Sequence, residues 1–256
     1  MKKYIVAGNW KLYIERAEEA KKIAAVLKRK VKLFPGVDMV LFPPAPLLPA
    51  VAQVLGKTSV ALGAQTISVF SGGAHTGDVS GAVVKDLGAS WVLVGHSERR
   101  AAGETNDMVC AQVRAAKNAG LHVMLCVGEK EKDHGGAHFS DIALQLSSAL
   151  NGFSNPPAGG RTRIAIAYEP VWAIGKTAAE AMQPGELEEM VIFIRKTLTD
   201  ILDRTAALRV PILYGGSVDG SNARQLLREG GVSGFLVGRA STDIDAFTEI
   251  LNVCKK

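Results

Sequence analysis

The chain has 256 residues, 47% of them hydrophobic and 21% charged, with 27 glycines. That length suits one domain of eight strand–helix units, which needs about 250 residues, better than two domains. No stretch of about 18 residues runs apolar without interruption, so no membrane span is expected. The apolar run after Lys2 and Lys3 is too short for a signal-peptide core, which makes the cytoplasm the default address. The net charge of +5 arises from 30 basic and 25 acidic residues scattered along the chain. A nucleic-acid binder would gather its cations in a stripe with aromatics, so no nucleic-acid partner is expected. Cys110, Cys126 and Cys254 are few, odd in number and far apart. They argue against a disulfide framework or a zinc site, and for a reducing compartment.

The predicted elements alternate from the N-terminus onward. A first strand at residues 4–7 leads into Gly8, Asn9, Trp10 and Lys11. Ala20, Ile23, Ala24 and Leu27 then share one helical face, with Glu18 and Lys22 paired on another. Strands follow at 39–42, 60–64 and 91–94, the last running into Gly95, His96, Ser97, Glu98, Arg99 and Arg100. Gly120 reads as a helix stop before a fifth strand at 122–126, after which comes Glu129. Ile142, Leu146, Ala149 and Leu150 form another apolar stripe, stopped at Gly152, and residues 155–160 read as a surface loop. A sixth strand at 164–168 ends at Glu169, Pro170, Val171 and Trp172. Pro184 with Glu186, Glu188 and Glu189 opens a helix whose stripe is Leu187, Met190, Val191, Ile194, Leu198 and Ile201, with Met190 as core packing. Strands at 212–214 and 234–237 complete the set, with a helix stop at Gly230 between them.

Most of the eight strand segments are apolar throughout, as in strands buried on both faces of a parallel sheet. Eight alternating units predict an α/β fold, a (β/α)8 barrel rather than an open doubly wound sheet, occupying residues 1–256 as one domain.

In such a barrel the residues just past the strand ends converge on one mouth. Here they offer a carboxylate (Glu169), an imidazole (His96), an ammonium (Lys11) and glycine turns at 215–216 and 238, with no activated serine or cysteine and no metal cluster. Moving a proton between two carbons of an α-hydroxy carbonyl needs that kit. A base takes the carbon-bound proton, a donor polarises the carbonyl, and a cation stabilises the enediolate. Glycine turns expose N–H groups that can hold a phosphate. Gly175-Lys176-Thr177 is similar to the end of a P-loop, but Pro170 stands where that motif needs glycine, which excludes nucleotide binding there.

GNWK at 8–11, GHSERR at 95–100, GET at 103–105, CVGE at 126–129, YEPVWAIG at 168–175 and YGGSV at 214–218 resemble, in order, the triosephosphate isomerase family. The resemblance runs from residue 8 to 241. It implies cofactor-free interconversion of dihydroxyacetone phosphate and D-glyceraldehyde 3-phosphate, a step of glycolysis and gluconeogenesis. On that resemblance Glu169 is the base, His96 the neutral electrophile, Lys11 the enediolate's cation, Asn9 a substrate-orienting amide, and Glu98 the partner that positions Lys11. Residues 170–178 are a mobile lid, and Gly175, Ser217 and Gly238 offer N–H groups to the phosphate. Residues 73–77 resemble the loop through which the family's homodimers interdigitate, with Thr76 reaching the partner's site and Gln65 framing the loop. A phosphorylated sugar is then the small-molecule partner. No metal or other cofactor is implied.

Two segments depart from the family pattern. Its lid reads Ala-Ile-Gly-Thr-Gly-Lys-Thr-Ala, whereas here Gly175 is followed at once by Lys176, Thr177 and Ala178, two residues fewer. After the eighth strand the family has Gly-Gly, and this chain has Gly238-Arg239. The Arg239 side chain either adds a cation near the phosphate or pairs with an acid on the rim. A changed rim also fits an isomerase of a four-carbon ketose phosphate. Retention of Asn9, Lys11, His96 and Glu169 speaks against an inactive scaffold.

Overall fold

The computed structural model describes residues 3–132, 135–153, 163–176 and 182–255. The strands β1 Tyr4–Asn9, β2 Val37–Phe42, β3 Ala61–Ala64, β4 Trp91–Val94, β5 His122–Val127, β6 Ile164–Tyr168, β7 Ile212–Tyr214 and β8 Gly234–Val237 pair in chain order, all parallel, and close into a barrel. Closure is the pairing of β8 with β1, where Ile5 faces Gly234 and Gly8 faces Val237. Gly234 makes it possible: at φ 137° it lies so near Ile5 that an added Cβ would stand 1.8 Å from the Ile5 carbonyl oxygen.

The described helices are α1 Ala17–Lys30, α2 Leu48–Leu55, α3 Gly81–Asp86, α4 Ser97–Ala101, α5 Asn106–Asn118, α6 Ala137–Ala149, α7 Pro184–Ile201, α8 Arg204–Arg209, α9 Ala223–Glu229 and α10 Ile244–Cys254. They wrap the barrel and divide the core into two shells. Ile5, Ala7, Val40, Phe42, Leu93, Met124, Ala165, Ala167, Leu213 and Leu236 fill the interior. Val6, Leu41, Val92, Leu125, Ile166, Tyr214 and Phe235 face outward onto the helices. Successive strand residues point to opposite faces and both faces are buried, which is why the strands read as unbroken apolar runs. Each such side chain contributes about 1.5–3 kcal/mol by leaving water. The interior is filled tightly enough that a Cβ on Gly63 would stand 2.2 Å from the Phe42 ring.

The helix signals act largely as the sequence predicts. Pro184 is the first residue of α7, and the Glu186 side chain reaches back to the Gln183 N–H. Leu187, Met190, Val191, Ile194 and Leu198 are buried, Met190 among them as packing. Gly120 and Gly152 take positive φ beyond α5 and α6. Two details differ. Glu18 pairs with Lys21 at 2.8 Å rather than with Lys22, since three residues is also one helical turn. Gly230 caps α9 in an ordinary right-handed conformation, and the left-handed turn is made by Gly231. The surface loop expected at 155–160 lies outside the described residues.

Candidate active site

The C-terminal ends of the strands open onto a cavity of about 350 Å³, lined among others by Asn9, Lys11, His96, Glu169, Gly175, Ser217, Gly238 and Arg239. Glu98 joins this group through Lys11. All the sequence-predicted site residues therefore gather at one mouth.

β1 carries the first pair. Asn9, at the last position of the strand, is buried, and its Oδ1 accepts the Lys11 N–H at 3.1 Å. That bond closes a tight turn in which Lys11 sits at φ 46°, the one non-glycine positive φ among the described residues. A left-handed conformation is strained for a side-chain-bearing residue and persists only where its surroundings fix it. Here it aims the Lys11 ammonium at Glu98 Oε1, 2.7 Å away.

β4 supplies the imidazole. Gly95 turns the chain at φ 71°, packed so closely that an added Cβ would stand 2.8 Å from Arg100 Nη2. His96 then caps α4: its Nδ1 accepts the Glu98 N–H at 3.3 Å. An accepting Nδ1 carries no proton, so the ring's proton is on Nε2. Nε2 faces the cavity, 3.2 Å from Glu169 Oε1 and 3.3 Å from Asn9 Nδ2.

β6 leads directly into Glu169, which is 2% exposed. Its N–H donates to the Val127 carbonyl at 2.8 Å, and its Oε2 accepts the Ser97 N–H at 3.1 Å. Two glycines make room for it. A Cβ on Gly128 would lie 1.8 Å from the Glu169 carbonyl oxygen, and one on Gly215 would lie 2.8 Å from its Cγ. Beneath it the Cys126 thiol is pushed well up by burial and by the Glu169 carboxylate. That thiol is a packing group, not a nucleophile. The half-buried Arg100 guanidinium braces the same floor, donating to the Gly95 carbonyl at 2.8 Å and to Asn106 at 2.7 Å.

Backbone from the turns after β6, β7 and β8 completes the lining. The N–H groups of Gly175, Gly216 and Ser217 donate to no described residue. Gly216 has no room for a side chain, since a Cβ would meet the Tyr214 hydroxyl at 2.3 Å. The Ser217 hydroxyl donates to the Ala173 carbonyl at 2.9 Å, tying β7 to the segment after Glu169. Arg239 is exposed at a negative φ, so the loss of the second glycine brings no backbone strain. The rim-acid alternative for its side chain finds no ion-pair partner among the described residues.

Glu129 is placed differently from the other mouth residues. It is buried below the segment that follows β6, where its Oε1 accepts the Tyr168 hydroxyl at 2.9 Å and the Trp172 indole N–H at 2.7 Å. Burial and the adjacent Glu129 push the Tyr168 hydroxyl's pKa far up, so it stays a donor. Lys132 lies 5.3 Å over the Trp172 ring and pairs with Glu186. Sequence reasoning did not find this clasp; the aromatic residues flanking the Glu169-Pro170 step were its only trace. Removing the indole donor in Trp172→Phe should loosen residues 171–175. About 1 kcal/mol of hydrogen bonding at a partly exposed site corresponds to about fivefold faster amide exchange there, with the barrel strands unchanged. Hydrogen-exchange mass spectrometry reads this directly. Of the lid expected at 170–178, Thr177 and Ala178 lie outside the described residues.

The mouth thus combines a buried carboxylate, a protonated imidazole nitrogen and a fixed ammonium with open backbone N–H groups in one cavity. Among the described residues no three His, Cys, Asp or Glu side chains gather to hold a metal ion. The profile of the triosephosphate isomerase family matches residues 4–254. The chain belongs to the triosephosphate isomerase family. The triosephosphate isomerase of Carboxydothermus hydrogenoformans is 39% identical over 255 residues, covering 98% of each chain. That of Thermus thermophilus is 39% identical over 255 residues, covering 99% of each. That of Coxiella burnetii is 37% identical over 254 residues, covering 98% of this chain and 97% of the other.

Proposed function

We propose that this chain interconverts dihydroxyacetone phosphate and D-glyceraldehyde 3-phosphate by proton transfer through an enediolate, using its own side chains and no cofactor. The observation that carries the reading is the Glu169 carboxylate 3.2 Å from His96 Nε2, in one cavity with Lys11 and with the unpartnered backbone N–H groups of Gly175, Gly216 and Ser217. Substrate fits this division. The phosphate is held by the N–H groups of Gly175, Ser217 and Gly238, with Arg239 on the same rim. The carbonyl carbons then lie over Glu169. The carboxylate removes the proton from one carbon as His96 Nε2–H donates to the carbonyl oxygen. Lys11, held by Glu98, stabilises the negative charge that develops, and Asn9 orients the oxygens. Glu169 returns the proton to the neighbouring carbon, while the His96 imidazole passes the hydroxyl proton from one substrate oxygen to the other, so that both protons are accounted for. Residues 170–178 close over the intermediate and exclude water, which suppresses loss of phosphate from the enediolate.

The test is a coupled assay on purified protein that compares kcat/KM for glyceraldehyde 3-phosphate with that for a four-carbon ketose phosphate. The account expects the three-carbon substrate to be preferred. A preference for the four-carbon substrate would replace the substrate assignment while keeping the chemistry, and absence of turnover on both would reject an isomerase.

The chain works, on this reading, as a single barrel domain in the cytoplasm and as a homodimer. No helix among the described residues is long and apolar enough to cross a membrane. Residues 71–78, including Thr76, are exposed, as are Phe70 next to them and Leu12 beside Lys11. Gln65 bonds the Lys11 and Phe42 carbonyls at 3.0 Å each, so the base of that loop is tied to the site. Sedimentation equilibrium should return twice the 27.1 kDa chain mass. Thr76→Arg should shift the protein toward monomer, and an unshifted dimer would place the interface elsewhere.

A further inference from the structure

We infer that the Arg239 guanidinium is a phosphate-contacting group that sets this chain's affinity for its substrate and makes that affinity depend on charge. The inference rests on the proposed function above and deepens it. Arg239 lines the same cavity as Gly238 and Ser217. Its backbone is fixed, because its carbonyl accepts the Thr242 N–H at 3.0 Å and the Thr242 hydroxyl at 2.8 Å. Its side chain is uncommitted: exposed, and without an ion pair to any described residue.

The other charges around the cavity explain why this cation matters. Lys11 is engaged by Glu98 at 2.7 Å and serves the reacting end. Asp219, on the phosphate side, is already satisfied by the Ser221 N–H at 2.8 Å and the Ser221 hydroxyl at 2.6 Å. It therefore does not need Arg239, and left unopposed it would repel an incoming dianion. Lys176, after Gly175, is the other cavity-lining cation without a described ion-pair partner. A guanidinium offers parallel N–H groups that match two phosphate oxygens, which an ammonium cannot do.

Inorganic phosphate is the probe. Its Kd is measured by calorimetry, and its Ki against glyceraldehyde 3-phosphate turnover, at low and high salt, for the native chain, Arg239→Ala, Arg239→Lys and Lys176→Ala. Arg239→Ala should weaken phosphate and raise KM by about 5–20-fold, with kcat moving less than about twofold, because contacts made equally in ground and transition states act on KM. Its KM should also lose much of its salt dependence. Arg239→Lys should recover part of the affinity. Phosphate affinity in Arg239→Ala within about twofold of the native chain, or a loss confined to Lys176→Ala, would overturn the inference and leave the proposed function standing. Weakened phosphate binding in Arg239→Ala, in a protein that turns over no triose phosphate, would do the reverse.

Discussion

Glu169→Gln should lower kcat by about 10³-fold while the protein keeps its fold and its affinity for inorganic phosphate. General bases contribute about 10²–10⁴-fold, and this carboxylate is the base of the proposed proton transfer. The amide keeps the shape that fits between Gly128 and Gly215 and can still accept the Ser97 N–H, so packing changes little. Only the ability to take a proton is lost. Steady-state kinetics beside a melting curve separate the two effects. Turnover within about tenfold of the native chain would remove Glu169 from its role. Glu169→Asp should also lose orders of magnitude, because the shorter side chain withdraws the carboxylate from His96 Nε2.

His96→Ala should cost about 10²–10³-fold in kcat, the range for removing one preorganised donor to a developing oxyanion. The loss belongs to kcat more than KM, since the Nε2–H bond strengthens as charge moves onto the substrate oxygen. A second effect is separable. His96 Nδ1 also caps α4 through the Glu98 N–H, so its removal should destabilise the protein by about 1 kcal/mol, read as a lower Tm. His96→Gln returns an amide donor and should recover part of kcat. Equal kcat for the two variants would show that donation from this position is not used.

The barrel was legible in the sequence because its eight strands are buried on both faces. Unbroken apolar runs such as Ile164–Tyr168 and Trp91–Val94 leave little room for error. The two larger boundary misses fall where polar residues enter a strand: Asp38 lies inside β2 and Asn9 ends β1, so both strands run beyond their apolar centres. The mouth residues were legible because strand ends in a barrel face one place, and because the motifs around Asn9, His96 and Glu169 are specific. Their coupling was not. That His96 spends one nitrogen on a helix cap follows from a turn made possible by Gly95. That Gly128 must lack a side chain follows from its approach to the Glu169 carbonyl, 41 residues on in β6's exit. Glu129 reads as one more acid at the mouth until Tyr168 and Trp172 are seen closing over it. Arg239 was open between two fates; it lines the cavity and makes no ion pair with any described residue.

The central claim is proton transfer through an enediolate by Glu169, and conversion of glyceraldehyde 3-phosphate by the pure protein in D2O tests it most directly. A carboxylate that shuttles the proton exchanges it with solvent in part before returning it. NMR of the product should therefore show deuterium on C1 of a fraction of the dihydroxyacetone phosphate, with both conversion and label falling together in Glu169→Gln. Conversion at the native rate that persists in Glu169→Gln, with or without deuterium at C1, would mean that the proton does not pass through this carboxylate, and would contradict the account.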